Sequence, residues 1–197
     1  MNEAGLQVLF VFILFFVSGC GVFETRTPQP PGQSRTNFIP PTSPDIVINN
    51  LKSSINDQNV DNYIACLSDT SFGGTRFEFV PPADVFGQYR SIFMDWNLNS
   101  ERSYFNNLKI QSSASATATL TLSSETMTFQ GDSAIYNANY VLFWPHKVAG
   151  IPQEAEGNLQ FFLGVDRNRN WSIYRWIDSK IGNNFTWSEL KARFSGQ

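Results

Sequence analysis

The chain has 197 residues and a mass of 22.2 kDa, enough for one ordinary globular domain with short appendages. Charged residues make up 16% of the sequence and aromatic residues 15%, which excludes an intrinsically disordered polymer. The formal net charge is -3 and no long basic run is present, so we expect no nucleic-acid partner.

An apolar stretch lies near the start of the chain. Residues 6–17 read LQVLFVFILFFV, which carries no charge, matches the apolar region of a signal peptide in length and is short for a membrane-spanning helix. The stretch ends in Val17-Ser18-Gly19-Cys20, which resembles the bacterial lipobox. The resemblance implies a signal peptide over residues 1–19, acylation of Cys20 and attachment to a membrane of the bacterial cell envelope.

The first residues of this leader depart from the usual pattern. They contain Glu3 and neither Lys nor Arg, although secretory leaders normally carry positive charge there. The alternative interpretation is a single transmembrane or buried helix with an incidental cysteine. Gly21 follows Cys20 where the inner-membrane retention signal has Asp, so the resemblance favours the outer membrane if the host has two membranes.

Residues 20–44 are predicted to form a tether. The stretch is polar, and its prolines favour extended polyproline geometry over helix or sheet. Such a segment would hold a folded domain away from the membrane surface. The alternative is a loop packed onto the domain.

Helical periodicity begins after the tether. Apolar residues at helical spacing predict one helix from Ser43-Pro44 and a second from Val60, with Cys66 as a buried free thiol beside the second apolar stripe. Residues 76–80 alternate as a short strand, and residues 83–107 are predicted to be helical, with a break near residues 97–99 and a restart at Ser100.

Four strands follow, because the spacing of apolar residues changes to two. The first strand changes phase at Ser123-Ser124, which indicates a bulge or a tight turn. Asp166 to Asn170 is predicted to be a hairpin turn, and Thr186 with Glu189 a capping box that begins a terminal helix. The predicted strands cover residues 113–129, 135–144, 159–165 and 171–178.

This order of elements, with Phe77-Glu78-Phe79-Val80-Pro81 before the third helical region, resembles the nuclear transport factor 2-like superfamily, which includes ketosteroid isomerase and SnoaL-type cyclases. The resemblance implies an α+β fold over residues 45–197, with N-terminal helices packed on a curved antiparallel sheet to form a cone. The alternative is a lipocalin-like half-barrel of the lipoprotein-receptor type, which needs more strands and fewer leading helices.

The resemblance also implies a pocket on the concave face of the sheet. Aromatic walls with a few hydroxyl groups suit a small apolar ligand. The alternative is that these rings only fill the core. The predicted wall consists of Tyr63, Tyr104, Tyr136, Tyr140, Trp144 and Trp176.

The sequence contains few residues that suggest a catalytic or metal-binding site. Two cysteines and one histidine are too few for a disulfide-rich scaffold or a typical zinc site, and we expect no metal and no cofactor. Asp95 and Tyr104 are the nearest approach to the acid–base residues of the superfamily's enzymes, and His146 is predicted to lie in an exposed loop. Asp166-x-Asn168-x-Asn170 resembles the start of a calcium loop but lacks its later glycine and glutamate.

Three functions fit these observations. The first is an envelope lipoprotein that binds a small apolar ligand or a partner protein without catalysis. The second is a ketosteroid-isomerase-like or hydratase-like enzyme, which requires an enclosed cavity with a carboxylate beside a tyrosine. The third is an interaction module of an envelope assembly, with a homodimer as one form.

Overall fold

The computed structural model describes residues 38–113 and 117–196, and Arg35–Gln197 form a compact unit. The predicted signal peptide, Cys20 and most of the predicted tether therefore lie outside the described residues. Within the described residues, no helix is both long and apolar enough to cross a membrane.

The described elements follow the predicted order: two helices, a short strand, further helices, four long strands and a last helix. Thr70–Phe72 form one turn of 3₁₀ helix. The helices are α1 (Pro44–Asn56), α2 (Val60–Ala65), α3 (Ala83–Gln88), α4 (Arg90–Phe93), α5 (Leu98–Ile110) and α6 (Trp187–Phe194), and the strands are β1 (Glu78–Val80), β2 (Thr119–Gln130), β3 (Ser133–Phe143), β4 (Glu154–Val165) and β5 (Trp171–Ser179).

The first two helices begin where the sequence predicts. Pro44 is the first residue of α1, where its missing N–H costs nothing, but the Ser43 side chain makes no capping hydrogen bond. The side chain of Asn59 accepts a hydrogen bond from the Asn62 N–H at 3.1 Å and so caps α2. Cys66 is buried as predicted, and its thiol donates to the Asn62 carbonyl.

The long helical region after β1 differs from the prediction. Tyr89 leaves helical geometry at φ -119° and ψ 37°, which separates α3 from α4. Asn97 accepts from the N–H groups of Asn99 and Ser100, and the Ser100 hydroxyl accepts from the Asn97 N–H, which completes a capping box. The predicted break and restart are therefore present, but the helix restarts at Leu98, two residues before the predicted Ser100.

The five strands form one sheet in the order β1-β5-β4-β3-β2. The last four are antiparallel neighbours, as predicted, whereas β1 runs parallel to β5 and places Phe79 opposite Trp176. The sheet is therefore mixed, which corrects the prediction of a wholly antiparallel one. The register of β2 against β3 shifts between Ser123 and Thr126, which confirms the predicted irregularity.

Side-chain hydrogen bonds between residues close in the sequence stabilise the last hairpin turn and the start of α6. Asp166 Oδ1 accepts the N–H groups of Asn168 and Asn170, both at 2.8 Å, and this confirms a hairpin turn. The capping box at the start of α6 is also confirmed, because the Thr186 N–H donates to Glu189 Oε2 at 2.8 Å and the Thr186 hydroxyl accepts the Glu189 N–H.

The described end of the predicted tether packs onto the domain. The Ile39 N–H donates to Asn50 Oδ1 at 3.0 Å, and Asn50 Nδ2 donates to the Ile39 carbonyl at 2.7 Å. The Trp171 N–H donates to the Pro41 carbonyl at 2.7 Å. Residues 38–43 are thus held by α1 and β5, while the boundary of the tether itself stays a prediction.

Candidate functional site

A buried ion pair lies between helices α5 and α6 on the concave side of the sheet. Lys191 of α6 donates to Glu101 Oε1 of α5, and both side chains are fully buried. The Trp96 indole N–H also donates to Oε1, at 2.8 Å, while the Tyr63 hydroxyl donates to Oε2 at 2.7 Å. The Glu101 carboxylate therefore has three hydrogen-bond donors inside the domain, as a buried charge requires.

Aromatic rings enclose the other end of this pair. Lys191 Nζ lies 3.7 Å from the ring centroids of both Phe79 and Trp176, close enough for cation–π attraction. Burial lowers the pKa of Lys191 to about 8, although the Glu101 carboxylate opposes this shift. The ammonium group thus connects α6 to β1 through the Phe79 ring and to β5 through the Trp176 ring.

A second buried carboxylate lies at the start of α6. Asp178 of β5 accepts the Tyr140 hydroxyl at 2.8 Å, and its other oxygen accepts both the Ser188 N–H and the Ser188 hydroxyl. Burial raises the pKa of Asp178, while the bonds from Ser188 and Tyr140 act against the rise. The Tyr140 oxygen in turn accepts the Trp187 N–H at 2.8 Å, so this network holds the first turn of α6 on the sheet.

The first residue of α6, Trp187, occupies the middle of the concave side. Its ring packs edge-on against Trp176, with centroids 4.5 Å apart, and against Tyr140 at 5.5 Å. Its indole N–H donates to the Tyr104 hydroxyl at 2.9 Å. Side chains of α6 thus fill the space where the sequence predicts a ligand pocket.

The structure brings three residues of the predicted pocket wall together around Trp187, namely Tyr104, Tyr140 and Trp176. Tyr63, Tyr136 and Trp144 have other partners and donate to Glu101, to Glu125 at 2.6 Å and to Ser112 at 2.6 Å. All six predicted residues are buried. Their observed contacts are those of a packed core, and a role in ligand binding stays a prediction.

Neither the candidate acid–base pair, Asp95 and Tyr104, nor His146 has the predicted arrangement. Asp95 is exposed, whereas Tyr104 is buried beside Trp187, so the two do not form an acid–base pair. His146 is only 3% exposed, which corrects the predicted surface position. Its ring packs on Phe194 of α6 at 5.1 Å and its Nε2 lies 3.2 Å from the Pro152 carbonyl, because the loop is folded against α6.

The burial of Glu101, Asp178 and Lys191 was not predicted from the sequence, since charged residues in amphipathic elements are usually on the solvent side. For Glu101 and Lys191, the spacing from aromatic residues on the same helix indicated burial. Glu101 stands three and four residues before Tyr104 and Phe105, which are buried. Lys191 stands four residues after Trp187, so each charge shares a helix face with large aromatic residues.

An open cleft of about 680 Å³ lies beside β1 and the helices α3 and α4. Five of its eleven lining residues are aromatic, and Met94 is 63% exposed. Phe79 and Trp96 separate the cleft from Lys191, because both rings also contact that side chain. The lining residues are Arg76, Phe77, Glu78, Phe79, Val80, Pro81, Ala83, Phe86, Phe93, Met94 and Trp96.

The cleft offers apolar contact and little acid–base chemistry. Its charged residues are Arg76 and Glu78, both exposed, and the Glu78 carboxylate lies 3.1 Å from Arg175 Nε. Among residues 38–113 and 117–196, no three His, Cys, Asp or Glu side chains are grouped so as to hold a metal ion. The arrangement suits binding of an apolar surface.

No protein-family model and no curated protein matches the sequence. Solved structures do match the fold. A nuclear transport factor 2-like superfamily protein from Salmonella enterica has a TM-score of 0.50 and 14% identity, over 70% of this chain and 89% of that protein. A nuclear transport factor 2-like protein from Cytophaga hutchinsonii also has a TM-score of 0.50, at 10% identity, over 68% of this chain and 93% of that one. The chain has the nuclear transport factor 2-like fold.

A third solved structure is also similar to this chain. A candidate aromatic ring hydroxylase from Novosphingobium aromaticivorans has a TM-score of 0.54 and 13% identity, over 75% of this chain and 92% of that protein. The two nuclear transport factor 2-like structures confirm the predicted α+β cone, and the lipocalin-like half-barrel does not describe the chain. Within this nuclear transport factor 2-like domain, the concave side is filled by α6 and the aromatic cleft is outside it, beside β1.

Proposed function

We propose that the chain is an envelope lipoprotein whose nuclear transport factor 2-like domain binds an apolar ligand or a partner protein at the cleft beside β1, without catalysis. One observation carries this proposal. The Lys191–Glu101 pair and Trp187 fill the concave side, whereas the cleft is open and aromatic. Binding energy at such a site comes mainly from burial of apolar surface.

The enzyme alternative requires a carboxylate that reaches a substrate. The domain contains two buried carboxylate–tyrosine pairs, Glu101 with Tyr63 and Asp178 with Tyr140, and a third pair, Glu125 with Tyr136, whose carboxylate is exposed. The two buried carboxylates are at most 1% exposed and are saturated by donors of the protein itself, whereas Glu125 is at the surface and not in an enclosed cavity. Because a general base must contact the proton that it removes, we do not propose isomerase or hydratase activity.

Binding at the cleft can be tested with the fluorescent probe anilinonaphthalene sulfonate, an anion with an apolar ring system, and a fragment of residues 35–197, which spans the compact unit. We expect Met94→Asp to weaken probe binding about tenfold, because a charge replaces an exposed apolar side chain at the cleft. Ile110→Asp is the matched control, since Ile110 is 75% exposed and does not line the cleft. Equal weakening by both variants would contradict the proposed site.

The natural ligand can be sought by native mass spectrometry of the same fragment purified from its own host. A bound small molecule supports the ligand form of the proposal, and a bound protein or a dimer supports the partner form. A fragment that carries nothing and does not bind the probe would contradict both forms.

The anchor is a separate part of the proposal. It is supported by the lipobox resemblance at Val17-Ser18-Gly19-Cys20. We expect the full chain to take up a palmitate analogue in a bacterial host and to fractionate with the outer membrane if two membranes are present. Label that persists on a Cys20→Ala variant would refute acylation at this residue.

A further inference from the structure

The outer edge of the sheet at β1 has main-chain groups without partners. β1 lies at the end of the strand order and pairs with β5 on one side only. The residues before it, Thr75 and Arg76, make no backbone hydrogen bond to any described residue. An edge of this kind is a template for pairing with another strand.

Side chains along this segment alternate as in a strand. Phe77 and Phe79 are buried, whereas Arg76 and Glu78 are exposed. Arg76 makes no ion pair or hydrogen bond with any residue that the structure describes. The edge therefore presents one positive and one negative side chain, two positions apart, on the same exposed face. The Glu78 carboxylate also lies 3.1 Å from Arg175 Nε of β5, so it would be shared between Arg175 and the second copy.

We propose that this edge pairs antiparallel with the same edge of a second copy of the chain, about a two-fold axis at Phe77. The proposal rests on the proposed function, because it names the partner that enters the cleft beside β1. With Phe77 opposite its own equivalent, Arg76 stands opposite Glu78 of the second copy, and Glu78 opposite Arg76 of the second copy. Two-fold symmetry thus produces two opposite-charge pairs from one sequence.

The neighbouring registers are unfavourable. A shift of two positions places Arg76 opposite its own equivalent in one direction and Glu78 opposite its own equivalent in the other, and like charges directly opposite destabilise a strand pair. A register that sets Phe77 opposite Glu78 moves buried rings to the exposed face. Of these registers, only the one centred on Phe77 sets opposite charges opposite each other and keeps the rings on the buried face.

Pairing in this register would end at a defined position. Pro81 and Pro82 follow β1 and cannot donate main-chain hydrogen bonds, so pairing ends there. The two five-stranded sheets would join across the axis.

Charge exchange tests the proposal on the fragment of residues 35–197, by sedimentation equilibrium. We expect a dimer for the unchanged fragment, at least about tenfold weaker dimerisation for Arg76→Glu and for Glu78→Arg, and recovery in the double variant. An equimolar mixture of the two single variants should form a heterodimer, since both of its cross-strand pairs are then attractive. Lys147→Glu, an exposed charge reversal away from the edge, should dimerise as the unchanged fragment does.

Two results would overturn the pairing. One is a fragment that stays monomeric up to about 1 mM, a concentration that excludes a useful affinity. The other is dimerisation that is insensitive to the charge variants. If the monomeric fragment still binds anilinonaphthalene sulfonate in a Met94-dependent manner, the pairing is wrong while the proposed binding function stands. A charge-sensitive dimer whose probe binding is unaffected by Met94→Asp supports the pairing and contradicts the proposed ligand site.

Discussion

Lys191 of α6 and Glu101 of α5 form an ion pair in which neither side chain is exposed to solvent. Trp96 and Tyr63 complete the hydrogen bonding of the carboxylate, and the rings of Phe79 and Trp176 face the ammonium group. A charge pair at this depth is tolerated only when both members are present, because each alone would be an uncompensated buried charge.

Removal of one member should therefore be costly. We expect Lys191→Met to lower the free energy of unfolding by about 3–5 kcal/mol, because it leaves the Glu101 carboxylate without its cation. The double variant Lys191→Met with Glu101→Gln should lose less than the sum of the two single variants. Urea denaturation of the 35–197 fragment measures this coupling, and strictly additive losses would contradict a direct buried pair.

The buried ammonium group also predicts a pH dependence. Burial lowers the pKa of Lys191 to about 8, so above this pH the unfolded chain binds a proton that the folded chain has lost. The difference in free energy of unfolding between the unchanged fragment and Lys191→Met should therefore rise from about pH 8 to about pH 10. The buried Cys66 and the tyrosines titrate in both proteins and largely cancel. A difference that falls with pH over this range would contradict the lowered pKa.

Trp187 offers a test of the filled concave side. Trp187→Ala should lower the free energy of unfolding by about 3–5 kcal/mol, because it leaves a cavity beside Trp176 and Tyr140. Indole should bind this variant and raise its thermal midpoint, since it replaces the missing ring. Trp171→Ala is the control, as Trp171 is only partly buried. Equal stabilisation of the control or of the unchanged fragment by indole would show that the cavity is not the binding site.

A close backbone approach makes Gly157 sensitive to substitution. A Cβ atom there would lie 2.6 Å from the Ser179 carbonyl oxygen and 2.8 Å from the Tyr140 hydroxyl oxygen. We expect Gly157→Ala to lower the free energy of unfolding by about 1–3 kcal/mol, because Tyr140 must move from Asp178. Gly87→Ala in α3 is the matched control: it meets no atom within 4 Å and should be neutral or stabilising. Equal effects of the two substitutions on the thermal midpoint would contradict this packing.

Local patterns predicted much of the fold. The alternation from Tyr136 to Trp144 identified the buried face of β3, and the Thr186–Glu189 spacing identified the start of α6. The polar residues from Asp166 to Asn170 likewise identified the hairpin turn between β4 and β5. These features depend on residues close together in the sequence, so their physical causes can be read from it.

Features that depend on distant residues could not be predicted. The parallel pairing of β1 with β5 joins segments about a hundred residues apart, and no local pattern distinguishes it from an antiparallel pair. Burial of Glu101 likewise depends on Lys191, which lies 90 positions later in the chain. Three rings of the predicted pocket wall surround Trp187, but the sequence could not show that Trp187 fills the space between them.

We expect ligands to enter the cleft beside β1 and not the concave side of the sheet. Chemical-shift mapping of the 35–197 fragment with anilinonaphthalene sulfonate tests it most directly, because every amide and indole N–H reports separately. We expect the perturbed signals to be those of residues 76–80 and of Met94 and Trp96. Perturbation centred instead on Tyr104, Tyr140 and the Trp187 indole would contradict the claim.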